Sequence, residues 1–431
     1  MRLVVRGLMA GAMLTALTLS ISLHAQEFKV GSKEVQVHGF GTQGFLYSNH
    51  NNYLTMDTNS GSFALTDFGV NASSQLSNKI HVGAQLYDRN IGHIGSWRPS
   101  LDWAFVDYKV KNWLEFRGGQ VKTTMGLFTD TQDLEFLYTW ALLPQAVYPI
   151  DLRGENIAHI GGDITGKVKI KKFGSFQYTA YGGKQPSDMR GGFVYGITSP
   201  PTTPVLNGHT TNLTSYGGTS FGGDLRWQTP FKGLLVGSSF LAKDLSTSGL
   251  NNYWDNNLVV TSGPYNKYTK VDHTTGFYTE YNFRNFRFDG EYRRQQRETT
   301  NVQFKQSCAS KSGVWTCTGT EPTSTNSYDY GYGYVAASYR FNKWFEAGAY
   351  NSRYIPVWSA ISWNPPANHI YDQTVSTKFD LTKMVDLKVE EHFISGNGGA
   401  KVDRGFYPND NPGSVYASNT RLFIIRTGLH F

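Results

Sequence analysis

The closing segment, Arg421-Leu-Phe-Ile-Ile-Arg-Thr-Gly-Leu-His-Phe431, constrains the fold more than any other stretch of the chain. In an extended strand successive side chains point to opposite faces. Phe423, Ile425, Thr427, Leu429 and Phe431 therefore share one face, and Leu422, Ile424, Arg426, Gly428 and His430 share the other. One face suits an apolar medium, while the arginine and histidine of the other need water or partners. Two architectures satisfy such a strand. It is either the edge of a soluble sandwich, apolar face inward, or part of a closed barrel turned inside out. Periodicity alone does not separate them.

Other segments repeat the pattern. In 156–170, Ala158, Ile160, Ile164, Val168 and Ile170 oppose His159, Asp163, Thr165, Lys167 and Lys169. In 221–229, Phe221, Leu225 and Trp227 oppose Asp224, Arg226 and Gln228. From Phe286 onward, Phe286, Phe288 and Tyr292 oppose Arg287, Asp289, Glu291, Arg293, Gln295 and Arg297. In 114–126 the parity changes, from Leu114 and Phe116 to Val121, Thr123 and Met125. A bulge at Gly118-Gly119 would restore one outward face and turn Glu115, Arg117 and Lys122 inward, with Gln120 a further candidate.

The spacing of these segments has two beats. Tight connections are expected at 77–78, 111–112, 171–172, 230–232, 284–285, 342–343 and 383–386. Long excursions are expected near 49–61, 91–100, 126–155, 184–217, 246–272, 300–326, 355–370 and 395–417. Together they separate about 16 strands, with the short-turn and long-loop asymmetry of transmembrane barrels. Trp113, Phe231, Phe286, Trp344 and Phe345 stand beside short turns, and Tyr328, Tyr330 and Tyr332 open a strand beside a long loop. Two aromatic girdles are expected from them, although a tyrosine stripe also suits stacking on carbohydrate.

Composition agrees with a barrel. The chain is 39% hydrophobic and 15% aromatic, yet its mean hydropathy is −0.40. Beyond the N-terminus no stretch approaches the roughly 20 apolar residues of a spanning helix, whereas a spanning strand needs about 9 to 11. Residues 1–25 read as a secretory signal: Arg2 and Arg6 come first, then the apolar run 8–23, then Ala25. Losing them removes two arginines and no acid, so a net charge of +7 becomes +5 for 26–431, the expected barrel domain. That excess fits a weak anion preference or attraction to anionic head groups, and is not a nucleic-acid signature. Cys308 and Cys317, close together in a polar stretch, are expected to form one loop disulfide after export. No cofactor and no metal site are indicated.

The loop 126–155 is too apolar for an exposed tip. It holds Leu127, Phe128, Leu134, Phe136, Tyr138, Trp140, Leu142, Leu143 and Tyr148 alongside Asp130, Asp133, Glu135, Asp151 and Glu155. Folding back into a barrel lumen would satisfy both sets.

The run Arg117-Gly-Gly-Gln-Val-Lys-Thr-Thr-Met-Gly-Leu-Phe128, the following Leu142-Leu-Pro-Gln145, the strand count and the terminal Phe431 together resemble the trimeric 16-stranded porins, and particularly the superfamily of the phosphate-selective porins O and P. The resemblance implies a bacterial outer-membrane location and a terminal aromatic read by the insertion machinery. It also implies a homotrimer among outer-membrane lipid and lipopolysaccharide, and a third loop that constricts the pore. The expected fold is all-β: a 16-stranded antiparallel transmembrane β-barrel with a constriction loop folded into the lumen. Asp130, Asp133, Glu135, Tyr138 and Trp140 are expected at the constriction. They would face Arg117, Lys122, Lys167, Arg226, Arg287, Arg293 and Arg297 across a narrow water path. Pore width and rings of charge set selectivity in such a channel.

The expected function is passive diffusion of small hydrophilic solutes and ions with a mild anion preference. A substrate-specific channel for phosphate, sugar or an aromatic acid is the alternative, with Tyr138, Trp140 and Tyr148 stacking on the solute. An outer-membrane enzyme is more remote, since the 11 histidines are scattered and neither Gly-x-Ser-x-Gly nor His-Glu-x-x-His is present. The length leaves no room for the plug domain of an energy-coupled transporter.

Overall fold

A computed structural model describes residues 26–198, 208–254, 260–312, 314–400, 404–411 and 416–431. The expected signal segment, 1–25, lies outside them. A short strand, β1 (Gln26–Val30), folds back on β2 (Lys33–Ser48). The wall continues through β3 (Ser62–Gln75), β4 (Ile80–Ile91), β5 (Ser100–Lys111), β6 (Leu114–Lys122), β7 (Ala158–Ile170), β8 (Gly174–Gln185) and β9 (Gly208–Gln228). It goes on with β10 (Leu234–Trp254), β11 (Val260–Phe283) and β12 (Phe286–Gln303). After a separate hairpin, β13 (Lys305–Lys311) and β14 (Val314–Thr320), the wall resumes with β15 (Thr323–Arg340), β16 (Phe345–Ile355), β17 (Ile370–Asp380), β18 (Val385–Gly396) and β19 (Asn419–His430). The main sheet has 17 strands; setting β1 aside leaves 16, each antiparallel to its neighbours.

Closure is made by β19 against β2, in register from Leu422↔Ser48 to His430↔Phe40. The Phe431 N–H donates to the Gly39 carbonyl at 2.9 Å, and the Gly39 N–H returns a bond to Phe431 at 3.2 Å. A Cβ at position 39 would lie 2.5 Å from the Phe431 ring, so glycine is required where the aromatic terminus seals the seam. A closed barrel leaves no sheet edge unpaired, which is what lets strands cross a bilayer.

All seven tight connections form where the spacing places them. Phe221, Leu225, Ile160, Ile164, Phe286, Phe288 and Leu429 are exposed on the outside, whereas His159, Asp163, Asp224, Asp289, Glu291, Arg293 and Arg426 are buried inside. Apolar outside and polar inside is the transmembrane arrangement, so the sandwich reading fails. Trp113, Phe231, Phe286 and Trp344 stand exposed beside the short turns as one girdle.

Three expectations are corrected. The excursions 184–217, 246–272 and 300–326 are shorter than the composition suggests, because β9, β10 and β11 run for 21, 21 and 24 residues and β12 and β15 for 18 each. A 24-residue strand spans roughly 80 Å, against an apolar band about 25 Å tall. The distal halves stand in water, so polar Ser, Thr and Asn residues continue the ladder without an apolar face. Within 300–326 the hairpin β13–β14 pairs Cys308 opposite Cys317, and the two are joined as a disulfide. The bulge at Gly118-Gly119 does not form: the register of β6 is unbroken there on both sides. The irregularities lie in β5, where the registers skip Asp102 and Val110. Gly119 absorbs the local distortion with a φ of +133°, accessible to glycine. Tyr328, Tyr330 and Tyr332 form no second girdle. Tyr330 and Tyr332 are buried in the lumen, while the outward positions between them are Gly331 and Gly333.

Candidate functional site

The loop between β6 and β7 turns into the lumen, its root held by the Thr123 N–H on the Ile157 carbonyl at 2.9 Å. Its apolar residues explain why. Phe128, Tyr138, Trp140, Leu142, Leu143 and Tyr148 pack with Leu46, Leu65, Tyr334, Tyr350, Leu422 and Ile424 of the wall in one buried core. Tyr53, Leu54 and Met56 of the first long loop join that core, as does Phe406 of the last. Asp151 accepts from the Gly405 N–H at 3.0 Å and the Tyr407 hydroxyl at 2.7 Å, tying the lumen loop to the last loop.

The charged groups of the loop are held in direct pairs. Asp133 accepts from Lys122 at 2.7 Å and from Gln85 at 2.7 Å, and Arg153 stands 3.7 Å away. Burial would raise its pKa, but Lys122 and Arg153 more than reverse this and hold the carboxyl below its usual value. Arg153 grips Asp102 through two bonds of 2.8 Å and lies 3.9 Å over the Tyr87 ring. Glu135 pairs with Lys388, whose ammonium also donates to the Glu135 carbonyl at 2.7 Å and the Trp140 carbonyl at 3.2 Å. Glu390 receives the N–H groups of Ala141 and Leu142 at 2.8 and 3.0 Å. Arg426 donates to the Ala141 carbonyl at 2.7 Å and pairs with Asp67 at 3.1 Å. On the facing wall, Arg226 donates to the Gly126 carbonyl at 2.9 Å and Arg293 to the Met125 carbonyl at 3.2 Å.

This geometry replaces the picture of loop carboxylates facing a basic wall across water. Asp130 lies 3.7 Å from Arg226, and Asp133 and Glu135 touch their cations. Most of the arginines pair within their own wall. Arg117 meets Asp107, Arg287 meets Glu280 and Asp289 at 2.7 and 3.0 Å, Arg293 meets Glu291 at 2.6 Å, and Arg297 meets Asp272 at 3.0 Å. Tyr138 and Trp140 are 5% and 4% exposed in the apolar core, so neither presents a ring face to a passing solute. The pattern did not single out Asp102, Arg153, Lys388 or Glu390. A signal existed for the last two: Lys388, Glu390 and His392 alternate with Val389 and Phe393 as lumen residues do.

Water space lies on either side of the loop. A cavity of 850 Å³ toward the short turns is lined by Lys109, Glu115, Arg117, Asp130, Asp163, Lys167 and Lys169. Lys109, Lys167 and Lys169 make no ion pair among the described residues. A second cavity of 280 Å³, beyond the loop, is lined by Tyr148, Tyr328, Tyr330 and Tyr332, by Lys243, Lys267, Arg293, Arg297 and Arg404, and by Glu155 and Asp272. Burial pushes the Glu155 carboxyl up to about 8 despite the opposing pull of Lys243.

No protein-family model matches the chain. No curated protein matches it in sequence. Solved structures do match. The chain is similar to the anion-selective porin of Comamonas acidovorans over 93% of its own length and 100% of that chain, with 11% identity and a TM-score of 0.51. It is also similar to the outer membrane channel DcaP of Acinetobacter baumannii, over 94% and 99% of the two chains with 9% identity and a TM-score of 0.49. For OmpF of Salmonella typhi in complex with daunomycin the coverage is 94% and 100%, the identity 10% and the TM-score 0.49. The likeness is one of fold: a closed barrel of the porin type over nearly the whole chain.

Proposed function

We propose that the protein is a non-enzymatic porin of the bacterial outer membrane, through which small hydrophilic solutes and ions diffuse passively, with a mild preference for anions. The observation that carries this reading is the contrast between paired wall arginines and the three unpaired lysines, Lys109, Lys167 and Lys169, in the 850 Å³ cavity. Paired charges are locally neutral, whereas free ammonium groups raise the local anion concentration in a low-dielectric cleft. Residues 1–25 would direct export, and a homotrimer among lipid and lipopolysaccharide follows from the porin resemblance. The test is the reversal potential in planar bilayers under a salt gradient. Neutralising Lys109, Lys167 and Lys169 should abolish the anion preference; neutralising Arg287, Arg293 and Arg297 should change it less. A wild-type channel preferring cations would overturn the reading.

A second reading, a channel selective for an aromatic acid, is favoured by the 280 Å³ chamber. There five cations and five tyrosines meet two carboxyl groups. Saturable block of the current by benzoate, absent in Tyr328→Ala, would favour it over a general pore. A phosphate-selective channel would instead be blocked by inorganic phosphate.

A further inference from the structure

We propose that the outer wall carries a binding groove for a membrane lipid with a net anionic phosphate head group, built from the Tyr-Gly alternation of β15. Inside, Tyr330, Tyr332 and Tyr334 pack in the lumen core. Outside, the same alternation leaves Gly331 and Gly333, and the neighbouring strand contributes Gly290 opposite Val335. Three residues without side chains make a trough in a wall that is otherwise studded with rings. A cavity of 650 Å³ occupies it, lined by Phe277, Tyr292, Val335, Trp358, Trp363 and Tyr371 among others. Phe277 and Val335 are 61% and 65% exposed, so the trough opens outward.

One end of the trough is closed and charged. The Trp358 indole lies over Gly331, where a Cβ would meet it at 2.2 Å, and Trp363 packs on Trp358 at 4.7 Å between ring centroids. Tyr292, Gly333, Arg353 and Tyr371 follow one another across four strands in register. Arg353 is exposed on this outer face, stands 5.2 Å from the Tyr371 ring and has no acidic partner among the described residues. Its position near the end of β16, beside the long loop, puts it at the level where aromatic residues and head groups meet. An arginine aimed at hydrocarbon is costly, and one at the interface is stabilised by an anionic head group. Arg294, paired with Asp329 and 4.5 Å over Trp358, flanks the same end. An apolar trough ending at a guanidinium that has only the Asn351 amide oxygen, at 3.4 Å, and no carboxylate among the described residues matches an acyl chain ending at a phosphate. The occupant is a bilayer lipid.

The protein reconstituted in vesicles tests this through tryptophan quenching by brominated lipid. Brominated phosphatidylglycerol should quench about fivefold more effectively per lipid than brominated phosphatidylcholine, from the attraction of one basic residue for an anionic lipid. The excess should vanish in the Trp358→Phe/Trp363→Phe variant, which locates it, and in Arg353→Ala. Gly290→Leu should reduce it by filling the trough. A Cβ at 290 finds its nearest neighbour at 3.7 Å, so a side chain can leave the wall there without a clash at its root. Equal quenching by the two lipids would overturn the proposal, as would an excess that survives Arg353→Ala. Loss of the excess on adding inorganic phosphate would assign the site to free anion, and quenching that rises on dissociation of oligomers would assign it to a protein contact.

Discussion

The two halves of the lumen solve the same burial problem in opposite ways. Along β15 to β19 and β2 to β4 the lumen loop lies against the wall, with Trp140, Leu142, Tyr350, Leu422 and Ile424 packed together and the loop's polar groups tied directly to Lys388, Glu390 and Arg426, which makes this the dry half. Along β5 to β12 the wall is charged, with Asp107, Asp163, Asp224, Asp289, Arg287 and Arg293 each engaged by a partner. The two cavities border this charged half. The first half seats the loop, and the second, the wet half, is left open to the cavities.

The comparison breaks most severely if the dry half is opened. Trp140→Ala should cost about 3–5 kcal/mol, the price of a large core truncation, and should raise single-channel conductance as the loop loosens; an unchanged conductance and melting temperature would show that the loop is held by its charges alone. Arg153→Met leaves Asp102 buried without its cation, a loss of about 3–5 kcal/mol. In the wild type, Asp133 lies below its ordinary value of 3.8 in the folded protein. Its stabilisation is therefore present above that pH and lost as the pH falls through the folded value. Acid titration of loop protection by hydrogen exchange checks both statements.

Effects in the wet half should be smaller and electrical. Lys167→Glu with Lys169→Glu should shift the reversal potential toward cations while leaving the stability within about 0.5 kcal/mol of wild type, as for exposed substitutions. Glu155 is raised from 4.5 to about 8, so its neutral form is favoured in the fold. Its contribution is present below 4.5 and lost as the pH rises through about 8. Anion preference should therefore weaken on alkaline titration, and Glu155→Gln should remove that step. The smallest effect belongs to Cys308→Ser with Cys317→Ser: the hairpin β13–β14 pairs with no barrel strand, so conductance should not change.

Much of the architecture was legible because alternation is a local property. Each strand around the barrel reports its two faces through residues such as Ile160 against His159, or Phe288 against Asp289, with no knowledge of the neighbours. The lumen loop was legible as a misfit, too apolar for water. The tyrosines of β15 were not, because a strand can display Tyr330 and Tyr332 to either side, and only the loop packed against them makes the lumen face apolar. Lengths were misjudged where β9 to β11 leave the membrane, since polar strand and polar loop share a composition.

By itself the sequence determined the period, the tight turns, the outward apolar face and the closing aromatic, all fixed by the two-residue repeat of a strand and the scarcity of water in a bilayer. The tertiary structure decided who meets whom. Asp133 with Lys122, Glu135 with Lys388 and Arg426 with the Ala141 carbonyl join residues distant along the chain, through a loop whose seat depends on every strand around it. A charge's worth in a channel depends on whether it is already paired, and pairing across a lumen is a property of the closed barrel.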